Sequence, residues 1–215
     1  LALASAHDCA LIGGDITRGP LTIAITVIGE VPPTQALRRD GAQSGDDLYV
    51  SGTLGDAALA LRWALQDPKT TAVQTSMTAR ARQTVESRMT MPTPRVALGH
   101  ALRGVATAAM DISDGLAGDL HHLLAASQCG AEVAIDTLPV SSTVATLPVD
   151  LRRALAFAGG DADICRAGGQ MGCDLMYQIR HAFASLARDG IGFFGQSVSL
   201  GAQDDIVRFR RHIGE

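Results

Sequence analysis

The stretch "AAMDISDGLAGDL", residues 108–120, decides how the chain is read. Apolar residues lead into Asp111, Ser113 and Asp114, Gly115 follows, and Leu116, Leu120, Leu123 and Leu124 recur at helical spacing. That order predicts a strand over "ATAAMDIS", a tight acidic turn, and a helix near 115–127. Asp114 can cap the helix, or it can join Asp111 in holding a metal ion and its phosphates. A carboxylate at the inner end of an apolar strand needs a partner, so capping does not account for Asp111.

Outward from this turn, strands and helices alternate. "DLYV" (47–50) reads as a strand, residues 51–55 as a glycine-bearing turn, and Asp56 as the N-cap of a helix through Leu65. The polar segment 66–91 reads as a surface helix or excursion, and Pro92 and Pro94 set the entry to another helix. "AEVAIDTLPV" (131–140) is expected as a strand, followed by a short helix near 150–157. Beyond that, a helix near 175–188 and strands near 191–198 and 206–209 are expected. At the start, a short helix leads into two strands within residues 10–31, where Ile23, Ile25 and Val27 alternate. Pro32 and Pro33 mark a boundary between segments 1–32 and 33–215. The fold class expected is α/β (α+β).

Composition narrows the function classes. Of the 215 residues, 47% are hydrophobic, enough for a sizeable core, and no apolar run approaches a membrane span. A net charge of −4 and 4% aromatics argue against nucleic-acid and anionic-membrane partners. Four cysteines without a CxxC pair exclude the usual zinc patterns and fit buried free thiols in a cytoplasmic protein. The chain begins without Met and has no signal-peptide pattern, and is expected to start part-way through a longer protein.

Three turns share one design, an apolar strand end, glycine and a presented aspartate: "IGGDITRGP" (Asp15), "SGTLGD" (Asp56) and "DISDG". Glycines let backbone amides approach phosphate, and aspartates are hard oxygen ligands for Mg²⁺. Asp15 can equally bond its own turn. Neither a Walker A motif nor GxGxxG before a helix is present, which disfavours P-loop and Rossmann enzymes. His121 and His122 have no companion at ligand spacing and read as part of a helix face. The residues alone lead to a nucleotide–Mg²⁺ site and no further.

Four collinear segments, "LIGGDITRGPLTIAITVIGEVP", "ALRRDGAQSGDDLYVSGTLGDAALAL", "PTPRVALGHAL" and "AAMDISDGLAGDLHHLLAASQCGAEV", resemble the thiamine-monophosphate kinase family. That family belongs to a superfamily with aminoimidazole ribonucleotide synthetase and selenophosphate synthetase. The resemblance implies that family's C-terminal α/β domain, preceded by the last strands of its N-terminal dimerisation and ATP-binding domain. It implies transfer of the γ-phosphoryl of ATP to thiamine monophosphate, giving thiamine diphosphate, with Mg²⁺ and no covalent enzyme intermediate, in a homodimer. Carried over, Gly14, Asp15, Arg39 and Ser113 meet ATP. Asp15, Asp111 and Asp114 hold metal, and Asp161 faces the thiamine substrate. No residue is assigned as a catalytic acid, base or nucleophile. The family's N-terminal half, with further metal-binding aspartates, is missing, and the likeness fades after Gly160. The alternatives are a non-catalytic fragment of that enzyme, or a superfamily relative with another acceptor.

Overall fold

A computed structural model describes residues 1–158, together with the strand backbones at 174–179 and 209–210. The chain divides into two units, Leu1–Ala36 and Leu37–Glu215.

The first unit holds one short helix, α1 (Ala2–Ala6). Beyond it the backbone is irregular, and the two strands expected within 10–31 are not formed. Ile23, Ile25, Val27 and Ile28 are each at least 74% exposed. The alternation is real, but a strand exists only where a neighbour accepts its backbone hydrogen bonds. Among the described residues none does so for this segment. Cys9 is exposed rather than buried.

The second unit is built on a three-stranded antiparallel sheet in the order β1–β4–β2. Strand β1 spans Asp47–Val50, β2 Ala106–Ile112 and β4 Asp174–Ile179. In register, Tyr49 faces Tyr177 on one side of β4, and Ala109 faces it on the other. The helix expected near 175–188 is therefore wrong over its first residues: "DLMYQI" is the central strand, and 180–188 lie outside the described residues. Six residues flanked on both edges satisfy their backbone groups in the ladder, and this overrides a helical reading of a short apolar run.

Helices cover the sheet. Between β1 and β2 run α2 (Asp56–Ala64), α3 (Pro68–Ser76), α4 (Ala79–Thr90) and α5 (Val96–Ala101). The polar excursion 66–91 is thus two helices. Asp67 caps the first by accepting from the Lys69 amide, and Thr78 caps the second through Ala81. After β2 comes α6 (Leu116–Ser127), as expected. The strand expected over 131–140 shrinks to β3 (Gly130–Ala131), paired with β5 (Phe209–Arg210), and is followed by a 3₁₀ turn at Ile135–Thr137. Helices α7 (Ser142–Ala145) and α8 (Val149–Arg153) complete this part, and α8 runs into a π-helical turn at Ala154–Ala158.

Among the described residues, three apolar clusters stabilise this unit, the smallest formed by Leu102 and Ala109 with Tyr49 and Leu98. In a second, Ala108 and Ile112 of β2 pack against Leu116, Leu120 and Leu123 of α6, with Leu54 and Ala156 closing it. In the third, Leu59 and Trp63 of α2 meet Val85 of α4, Val144 and Leu155. The β1–α2 turn joins the second and third. The Leu54 amide donates to the Pro139 carbonyl (2.8 Å), and the Ser141 hydroxyl donates to the Asp56 carboxylate (2.6 Å). The Thr53 hydroxyl also donates to Asp56, at 3.4 Å.

Asp56 is therefore not the N-cap. Gly55 holds that position in the left-handed region, with no side-chain cap bond, and Asp56 is the first helical residue, 3% exposed. Its carboxylate ties α2 to Ser141, whose oxygen also accepts from the Val144 amide and so caps α7. Replacing Ser141 by alanine leaves a buried carboxylate oxygen short of a donor and uncaps α7. The expected loss is about 1–3 kcal/mol in urea unfolding, whereas an unchanged midpoint would assign this bond no role in stability.

Candidate functional site

Strand β2 ends and α6 begins at one point, and the chain between them carries the acidic turn. Ala108, Met110 and Ile112 of β2 face α6, since they belong to its core cluster. By strand alternation Asp111 lies on the other face, with Ala109, and being near the end of the strand it is exposed. Ser113 is half-buried and Asp114 exposed. Gly115 then takes φ 107° and ψ 152°, a backbone conformation open to glycine and strained for other residues. It is the N-cap of α6, and no side chain caps the helix. Asp114 is not the cap.

What holds the turn is a residue that sequence reasoning missed. Asp119 is 3% exposed and its Oδ2 accepts from the backbone amides of Ser113 (2.8 Å) and Asp114 (3.0 Å). The geometry is that of a capping box displaced by one residue, an acid in the first turn reaching back to amides ahead of the helix. Burial raises the Asp119 pKa above the ordinary carboxylate value. The Asp114 and Ser113 amides oppose that shift, while the charges of Asp114 and Asp111 add to it. The signal was available in the sequence: Asp119 falls within the apolar stripe of Leu116, Leu120 and Leu123, where a carboxylate must find buried donors.

Arg39 is exposed and sits elsewhere on the same helix–strand unit. Segment 38–42 lies along β2: the Ala109 amide donates to the Arg38 carbonyl (2.9 Å), and the Ser127 hydroxyl donates to the Arg39 carbonyl (2.7 Å). The approach is so close that a Cβ at Gly41 would stand 2.0 Å from the Thr107 carbonyl oxygen. Ser127 ends α6, so the Arg39 backbone is anchored at the opposite end of that helix from Ser113 and Asp114. Its neighbour Arg38 pairs with Asp40, which raises the Arg38 pKa.

Gly14 and Asp15 belong to the first unit. Asp15 is exposed and its Oδ1 accepts from the adjacent Ile16 amide (2.7 Å), one residue short of an Asx turn. A Cβ at Gly14 would meet no atom within 4 Å. Asp161 lies outside the described residues. His121 and His122 are exposed on α6, and Cys129 is half-buried. Among the described residues, no three His, Cys, Asp or Glu side chains converge as a metal-ligand group, and no helix is long and apolar enough to cross a membrane. Asp111 and Asp114 nonetheless offer what Mg²⁺ takes, hard carboxylate oxygens open to solvent beside an uncapped helix start. Mg²⁺ commonly binds one or two carboxylates and completes its shell with water and phosphate.

The family model for AIR synthase related protein, C-terminal domain, matches residues 43–161, more than half of the chain. The chain belongs to this family. The acidic turn, α2 and α6 fall within the matched span. The resemblance to thiamine-monophosphate kinases is also borne out: that of Salmonella typhimurium is 44% identical over 167 residues, covering 76% of this chain and 49% of the relative. The solved thiamine-monophosphate kinase of Stenotrophomonas maltophilia K279a superposes with a TM-score of 0.73 at 41% identity, covering 97% of this chain and 61% of that one. AaThiL, solved in complex with AMPPCP and TMP, gives a TM-score of 0.51 at 28% identity, covering 66% of this chain and 42% of that one. The α/β fold expected from sequence is thus the fold of the AIR synthase related family. The chain spans about half the length of the curated relatives it matches.

The raised Asp119 pKa makes a prediction about this AIR synthase related domain. Between the ordinary carboxylate pKa and the raised folded value, the native state binds more protons than the unfolded chain. Unfolding free energy therefore falls as pH rises through that window. In Mg²⁺-free buffer, urea unfolding should show wild type losing stability relative to Asp119→Asn across this interval. A difference that is flat with pH would mean that Asp119 is not desolvated as described.

Proposed function

We propose that the chain is part of an ATP-dependent thiamine-monophosphate kinase, which transfers the γ-phosphoryl of ATP to the phosphate of thiamine monophosphate. The observation that carries this reading is the uncapped start of α6 flanked by Asp111 and Asp114, in a chain 44% identical to a thiamine-monophosphate kinase. An open helix N-terminus presents amide donors and a positive dipole end to phosphate. The reaction joins two anions, so the protein supplies positioning and charge balance, and no side-chain nucleophile is required. Asp111 and Asp114, with Asp15, hold Mg²⁺, which when bound offsets phosphate charge. Ser113, Gly14, Asp15 and Arg39 meet ATP, and Asp161 faces the thiamine moiety. Support for Arg39 is the backbone anchoring of its loop on β2 and α6.

In this reading residues 1–32 belong to an N-terminal domain and 33–215 to the C-terminal one, and the active protein is a cytoplasmic homodimer. The exposed apolar side chains of residues 21–28 support an additional strand-pairing partner for that segment.

The test incubates the full protein with thiamine monophosphate, ATP and Mg²⁺ and measures thiamine diphosphate. Asp111→Asn should keep the fold, since Asp111 is exposed, and lower turnover by about 10²–10³-fold, the scale seen when one group stabilising transition-state charge is removed. A folded wild-type protein that forms no thiamine diphosphate would refute the reading. A fully active Asp111→Asn protein would remove this carboxylate from it.

A further inference from the structure

Asp111 is set by strand β2, but Asp114 is aimed by a turn, and a turn of Ser, Asp and Gly has no intrinsic reason to hold one shape. We infer that Asp119 is a positioning residue for this site: its buried carboxylate fixes the Ser113–Asp114 backbone and so sets where Asp114 presents its oxygens. The inference rests on the proposed kinase reading only for what those oxygens bind.

Four observations converge. Asp119 is 3% exposed, so it does not face the solvent from which Mg²⁺ or nucleotide arrives. One of its oxygens, Oδ2, takes both amides, at 2.8 and 3.0 Å, and clamps two consecutive peptide units. Its own backbone is anchored, because the Asp119 amide donates to the Gly115 carbonyl (3.1 Å) as the first bond of α6. Helix α6 is in turn fixed to β2 by Leu116, Leu120 and Leu123. The clamp thus transmits the position of a rigid βα unit to the acidic turn. A buried carboxylate is costly to desolvate at this core-facing position, and the two amides offset that cost. Its presence is accounted for by the two amides it holds.

A residue that orients a ligand from behind typically changes metal affinity or activity about 10–100-fold when removed. Asp119→Ala leaves both amides without an acceptor. Asp119→Asn keeps a neutral oxygen in place, a weaker acceptor than the carboxylate. The full protein is read in two ways: Mn²⁺ affinity in the presence of ATP, by water-proton relaxation, and amide exchange along residues 111–127. Asp119→Ala should weaken Mn²⁺ binding about 10–100-fold and lose protection at Ser113 and Asp114 while Leu120 and Leu123 keep theirs. Asp119→Asn should fall between it and wild type, and it alone decides the matter if the alanine variant does not fold. Unchanged Mn²⁺ affinity, or protection lost evenly along α6, would overturn the inference and leave Asp119 a core residue. Thiamine diphosphate formation by wild type is scored separately. If it is absent while Mn²⁺ affinity and exchange respond to Asp119, the functional reading fails and the positioning role stands. If it is present while both are unmoved, the reverse holds.

Discussion

The Ser113 and Asp114 amides can both point at a buried Asp119 carboxylate because a glycine follows them. At φ 107° Gly115 turns the chain sharply between the last strand residue and the first helical one, and the two amides are left on the inside of the bend. A side chain at 115 would strain that conformation and open the turn. With the turn closed, α6 starts directly over the end of β2, and Leu116 falls where Ile112 can pack against it. One backbone conformation therefore sets the strand–helix packing and the placement of the acidic turn together.

Much of this unit was legible in the sequence because its signals are local and agree with each other. Apolar alternation in "ATAAMDI", a glycine turn, and leucines at 116, 120 and 123 each point to the same strand–turn–helix. The expectations that failed depend on what lies across space. Residues 21–31 alternate like a strand but have no described neighbour to pair with, and "DLMYQI" looked helical until β1 and β2 flanked it. The stretch 131–140 has strand composition, yet among the described residues only Gly130 and Ala131 form a strand, with a lone bridge from Val140 to Leu54 beyond it. Asp56 has the identity and spacing of a cap but is drawn inward by Ser141, 85 residues away in the chain. No window of sequence contains that bond.

The candidate site was legible for a different reason. Its residues are close together in sequence, so the motif carries Asp111, Ser113 and Asp114 as a unit. Asp119 escaped notice because it sits among leucines, where an acid on a helix is ordinarily read as a solvated residue. Burial reverses that reading. A carboxylate on the core side of α6 is tolerable only with donors in reach, and the nearest unsatisfied donors are those of the turn.

Exposure separates the aspartates of this unit into two kinds. Asp46, Asp56 and Asp119 are buried, and each accepts bonds from the protein itself. Asp46 takes the Gln43 amide (2.8 Å) and the Thr107 hydroxyl (2.7 Å), Asp56 takes the Ser141 and Thr53 hydroxyls, and Asp119 takes two amides. These three tie loops to β2, α2 to α7, and the acidic turn to α6. Asp111 and Asp114 differ from these in exposure: both face solvent, and both act on Asp119 through their charge. Gathering like charges around a buried carboxylate works against stability, and none of the loop-tying bonds requires Asp111. In the proposed kinase reading, a divalent cation with its phosphates would convert the repulsion among these carboxylates into an attraction that holds the ligand.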